Sequence, residues 1–231
     1  MALIYGIRHG QAQFGSSDYD RLSALGIEQA KLLGAYFHQT GVRFQKVVTG
    51  GHRRQQETAE AAAAHMAGMP TPVAMSAFDE FNTNAIMALL DDAGHSSGQD
   101  GGAFTAAYRS ASEFRRAMES AIAVAIETPE RLAPEYRLDG FVDRVREGIT
   151  RVVNAAQPDS TIAIFTSGGT LAVLMQVALN ISLSETVRLP WQIYNTSVSV
   201  FVHDGDRLDL QSFNTTPHLD RDSQGHLYTL L

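Results

Sequence analysis

Ala2-Leu3-Ile4-Tyr5-Gly6-Ile7-Arg8-His9-Gly10 opens on an uncharged apolar run and ends in a cation, an imidazole and a glycine. The run reads as a buried strand over residues 2–8. A strand that passes into a glycine-containing loop is where open α/β sheets place their ligands. Neutral imidazole is a competent nucleophile, and an adjacent guanidinium can bind a phosphoryl group through paired donors. Three residues could equally be a surface Arg-His pair after an edge strand, so the rest of the chain must decide.

Outward from that stretch, residues 16–21 read as polar loop and Ser23 as a helix N-cap. Leu25, Ile27, Ala30, Leu33, Tyr36 and Phe37 recur at helical spacing until Gly41. A second strand is expected at 45–49. Gly50-Gly51 then turns the chain into a helix whose body is 56–66, closed by Pro70 and Pro72. A short strand near 73–75 follows. Residues 95–102, rich in Gly and Ser, suggest a mobile loop. Helices are expected at 103–127 and 138–156, the latter with Phe141, Val142, Val145, Ile149 and Val152 on one face. Thr161-Ile162-Ala163-Ile164-Phe165 is another buried strand. Gly168-Gly169 after it opens a helix over 171–179, and residues 197–213 form a hairpin about Asp204-Gly205.

Strand–helix alternation to about residue 180 implies a mainly parallel sheet in a three-layer α/β/α sandwich. Residues 81–136 are too long for a simple crossover and are expected to form a helical cap insertion over the active edge of a single domain spanning 1–231.

Composition narrows the function. The chain has 231 residues, 44% of them hydrophobic, enough for a sizeable core. It has no cysteine, which excludes disulfides, thiolate metal sites and thiol nucleophiles, and suits a cytoplasmic protein. No signal peptide or membrane span is legible. A net charge of −7 argues against nucleic acid, though a few clustered arginines can still make a positive pocket.

Three strand ends carry phosphate-friendly chemistry. They are Arg8-His9-Gly10, the stretch from Thr49 through Arg53-Arg54 to Glu60, and Phe165-Thr166-Ser167-Gly168-Gly169-Thr170. In a parallel sheet they converge on one edge, with helix N-termini adding free N–H groups.

Together with Leu22-Ser23-Ala24-Leu25-Gly26-Ile27-Glu28-Gln29-Ala30, with Arg54 before Thr58-Ala59, and with Phe78-Asp79-Glu80-Phe81, these motifs resemble the histidine phosphatase superfamily, which includes the phosphoglycerate mutases. The resemblance runs from Ile4 to about Asn195. It implies hydrolysis of a phosphate monoester through phosphorylated His9, with Arg8 and Arg54 holding the phosphoryl oxygens and Glu80 as acid and then base. It implies Gly10, Gln11, Ser167 and Gly168 around the phosphate, a phosphorylated small molecule as partner, and no metal or other cofactor.

The sequence departs from the family where a second histidine usually precedes Gly-Gly, because Ser167 stands there. A hydroxyl donates a neutral hydrogen bond, roughly half as strong as a charged one. The alternative is therefore a catalytically weak or inactive protein that binds a phospho-ligand. Gly15, where many members carry Asn, is a second departure, and His52 is a candidate for the vacant role. Arg53 reads as solvated or in a surface ion pair, and Gly26 as a point of close approach. Substrate identity and oligomeric state are not legible.

Overall fold

The computed structural model describes residues 1–16, 18–90, 108, 110–220 and 225–230. The Gly- and Ser-rich stretch 95–102 and the expected helix start at 103 lie outside them. Six strands form one sheet: β1 (Ala2–Arg8), β2 (Lys46–Thr49), β3 (Val73–Ala74), β4 (Thr161–Thr166), β5 (Val198–His203) and β6 (Leu208–Thr215). Their order is β3-β2-β4-β1-β5-β6. The first four run parallel, and β5 and β6 add the expected antiparallel hairpin.

The alternation of side chains along each strand divides the core. Ile4, Val48, Ile162 and Ile164 face one way, against α5 (Leu138–Asn154) and α6 (Gly168–Leu179). Ile7, Val47, Ala163 and Phe165 face the other, against Leu33 and Phe37 of α1 (Ala24–Gln39) and Ala59 and Ala62 of α2 (Arg53–Ala63). The sheet is thus covered on both faces, as continuous apolar runs in parallel strands require. Each such Ile, Leu or Val contributes about 1.5–3 kcal/mol by leaving water.

A third cluster belongs to the region after β3. Here α3 (Thr83–Met87) packs with α4 (Ala111–Glu127) through Ile86, Met87, Phe114, Met118 and Ile122. Phe81 and Phe14 pack against it. A short helix, α7 (Leu183–Thr186), follows α6.

Three helix starts differ from expectation. Helix α4, expected from 103, begins at Ala111, where the Ser110 side chain caps it by accepting from the Glu113 N–H at 3.2 Å. Helix α2 begins at Arg53 rather than in the region of Gln56, since His52 is still extended and the chain turns immediately after Gly51. It ends at Ala63, before Gly68 reverses the chain at φ 79°. Helix α6 begins at Gly168, so both glycines are helical despite their poor propensity. The reason is space: a Cβ at Gly169 would overlap Glu80 Oε1. The cap at Ser23 forms as expected, accepting from the Gly26 N–H at 3.0 Å.

Candidate active site

Register carries the three motifs to one place. Arg8 lies beside Thr166 on β4, and Thr49 lies beside Phe165, so His9, Gly50 and Ser167 leave neighbouring strands at the same edge. Arg8, His9, Arg54 and Ser167 are all buried there.

His9 is held at three points. Its N–H donates to the Thr166 carbonyl at 2.8 Å, and its own carbonyl accepts from Asn195 Nδ2 at 3.0 Å. Its Nδ1 lies 2.7 Å from the Gly10 carbonyl, an acceptor only, so the ring proton sits on Nδ1. Nε2 is therefore a lone pair, and it accepts from Arg54 Nε at 3.2 Å. Burial, then the charges of Arg54 and Arg8, push the His9 pKa well below the ordinary imidazole value. The site thus keeps a neutral, oriented imidazole between two cations.

Arg8 donates to the Ile193 carbonyl, while its buried Nε has no partner among the described residues. Burial lowers its pKa to about 10, which leaves it protonated at neutral pH, and Glu80 is near enough to favour that charge. Arg54 lies under the Tyr19 ring, 5.6 Å from its centroid, and its Nη1 donates to Asp20 Oδ1 at 2.6 Å.

Glu80 reaches the edge from the turn after β3. Its Oε2 accepts from the Gly169 N–H at 2.8 Å and its Oε1 from the Phe81 N–H at 3.0 Å. The carboxylate thus sits at the N-terminus of α6, a position that favours anions. The turn is tied down by the Phe78 carbonyl, which accepts from Thr166 Oγ1 at 2.7 Å, and by Arg144 of α5. Arg144 donates to the carbonyls of Ser76 and of Asp79, the latter at 3.1 Å.

Ser167 is the N-cap of α6 but makes no side-chain cap bond, so the simple capping explanation for this serine does not hold. Its Oγ instead accepts from Gln55 Nε2 at 2.8 Å, which leaves its own proton to donate elsewhere. His52 does not stand in for the missing histidine at that position, since its ring faces Asp20, with Nδ1 3.8 Å from Oδ2. Arg53 pairs with Glu57 at 2.8 Å on the surface.

The remaining candidates also make contacts within the fold. Gly10 spends its N–H on Thr58 Oγ1 at 3.0 Å, and Gln11 spends its N–H on Gln29 Oε1 at 2.9 Å. Gln11 Oε1 accepts from Ser23 Oγ at 2.8 Å, so these groups face α1. Gly26 is the expected close approach, because a Cβ there would overlap the Gln11 backbone. Gly168 packs against Pro190, and Gly15 adopts φ 79° in an open turn. Among the described residues no three metal-ligating side chains gather.

Sequence reading assigned no role to Asp20, Gln55, Arg144 or Asn195. Thr58 and Gln29 lay inside quoted motifs, and their spacing from Arg54 and Ser23 was the available signal. Asp20 sat in a stretch distinguished only by polarity.

The profile of the histidine phosphatase superfamily (branch 1) matches residues 4–125 and 107–216. No curated protein matches the chain. Among solved structures it is similar to Bacillus stearothermophilus YhfR, with TM-score 0.68, 21% identity, and 95% of this chain and 100% of that one covered. A putative alpha-ribazole-5'-P phosphatase from Escherichia coli aligns with TM-score 0.64 and 16% identity, over 94% of this chain and 98% of the other. A mutant phosphoserine phosphatase from Entamoeba histolytica in complex with phosphoserine aligns with TM-score 0.61 and 16% identity, over 95% and 100%. These likenesses concern the fold.

Proposed function

Because the chain belongs to the histidine phosphatase superfamily, we propose that it hydrolyses a phosphorylated small molecule through a phosphoryl group carried on His9. The observation that carries this reading is the imidazole itself, neutral, with its proton fixed on Nδ1 and Nε2 turned to the Arg54 guanidinium.

In the first step Nε2 attacks phosphorus, and the bond from phosphorus to the leaving oxygen breaks. Glu80 enters the step protonated and gives that proton to the leaving oxygen, becoming the carboxylate that serves the second step. Arg8 and Arg54 balance the charge on the three remaining oxygens, and Arg8 Nε is a buried donor for one of them. In the second step Glu80 takes a proton from water, the water oxygen bonds to phosphorus, and inorganic phosphate leaves His9 as a neutral ring. The Ser167 hydroxyl adds a neutral donor. These residues need no cofactor for either step, and a cytoplasmic setting fits a cysteine-free chain. No helix among the described residues is long and apolar enough to cross a membrane.

A second reading rests on Ser167. Losing one charged, preorganised donor typically costs on the order of 10²–10³ in rate, which could leave a phospho-ligand binder. Phosphate release from a panel of monoesters separates the two. We expect release by the wild type and none above background by His9→Ala. Binding of esters without release by either protein would favour the binder.

A further inference from the structure

We infer that Asp20 is a built-in competitor for the phosphoryl group, seated on Arg54 in the resting site and displaced when an anion enters. The inference rests on the phosphate pocket described above. Asp20 Oδ1 accepts from Arg54 Nη1 at 2.6 Å, and Oδ2 accepts from the Arg53 N–H, the first of α2, at 2.9 Å. His52 stands 3.8 Å from the same Oδ2. A guanidinium and a helix N-terminus are donors that would recognise a phosphate oxygen, and here a carboxylate accepts from both, with the imidazole close by.

The resting arrangement is closed upon itself. Arg54 Nε covers the lone pair of His9, so Nε2 cannot reach phosphorus until that donor turns to another acceptor. An entering phosphoryl group supplies one, taking Arg54 from His9 and from Asp20 in a single exchange. Arg54 is nearly buried and cannot follow Asp20 outward, whereas the Asp20 side chain is 40% exposed and can return to water. Arg8 Nε, buried and without a partner among the described residues, remains as a donor that Asp20 does not satisfy. Tyr19, over Arg54 from the same loop, is the chain neighbour of Asp20. The cost of removing the carboxylate from Arg54 is therefore part of every binding event, and it discriminates in favour of ligands charged enough to replace it.

The opposite role for Asp20, holding Arg54 in its productive pose, makes the opposite prediction. Titration calorimetry with inorganic phosphate, on wild type, Asp20→Asn and Asp20→Ala, distinguishes them. Asp20→Asn keeps the shape of the side chain while removing the competing charge, and should bind phosphate at least about tenfold more tightly. In turnover, KM for a monoester should fall more than kcat changes. Equal or weaker phosphate binding in both variants overturns the inference, as does failure of wild type and variants alike to bind phosphate. Monoester hydrolysis without tighter binding in Asp20→Asn would sink the competitor role alone. Tighter binding without hydrolysis by any form would retain it and remove the phosphatase reading.

Discussion

At the scale of single residues, the chemistry is set by which polar atoms are already satisfied. His9 is fixed through its own N–H, its carbonyl and Nδ1, leaving Nε2 as the atom that can react. Glu80 is held by two backbone N–H groups, one of which belongs to a residue that must lack a side chain. Gly169→Ala should therefore displace the carboxylate and reduce kcat by on the order of 10²-fold, approaching Glu80→Gln, with a folded protein by circular dichroism. Near-normal turnover in Gly169→Ala would show that Glu80 need not sit against α6. His9, Arg8 and Arg54 stand out as candidates in the sequence because they lie in short motifs at strand ends, and Glu80 through the resemblance. Asp20 and Gln55 do not, since their importance arises from contacts with Arg54 and Ser167 across the fold.

At the scale of elements, two connections hold the site from outside the motifs. Helix α5 sends Arg144 under the turn that bears Glu80, where it donates to three carbonyls of that turn, those of Ser76, Asp79 and, at 3.5 Å, Glu80. Arg144→Ala should lower kcat about tenfold with KM little changed, because it loosens the acid without touching the phosphate pocket. Partial recovery in Arg144→Lys would separate positioning from general loss of packing, and a change confined to KM would refute the assignment. On the opposite side, Asn195 donates to the His9 carbonyl while Thr229 Oγ1 donates to Asn195 Oδ1 at 2.9 Å. Thr229 Oγ1 also accepts from Gln29 Nε2 at 2.9 Å, joining the last residues to α1. Periodicity gave the long helices and buried strands, because each presents a continuous apolar face. It missed the first turns of α2 and α6, where the carboxylates of Asp20 and Glu80 accept from the Arg53 and Gly169 N–H groups.

At the scale of the whole molecule, the fold keeps two histidines neutral. His218 is buried, with Nε2 2.9 Å from Thr196 Oγ1, and burial lowers its pKa to about 4. Burial and the two arginines push His9 down as well. Both values lie below that of an unfolded histidine, near 6.5, so on acidification the unfolded chain takes up protons that the native protein refuses. Stability is intact above about pH 6.5 and falls as the pH drops, by about 3 kcal/mol for His218 between pH 6.5 and 4. Urea unfolding of wild type and His218→Gln at pH 7 and pH 5 tests this. The variant should lose less stability on acidification, and parallel losses would exclude His218 as a cause. The layered architecture was legible because strands buried on both faces need helices on both sides. The contact of His9 Nδ1 with the Gly10 carbonyl has no signature in the residues themselves, since a carbonyl's direction is a property of the folded backbone. That His9 carries the phosphoryl group is tested most directly by mass spectrometry of protein quenched in base during turnover of a monoester. One phosphoryl group is expected on the peptide containing His9, labile to acid and absent from His9→Ala. Turnover that persists in His9→Ala, or a phosphoryl group on any other residue, would contradict it.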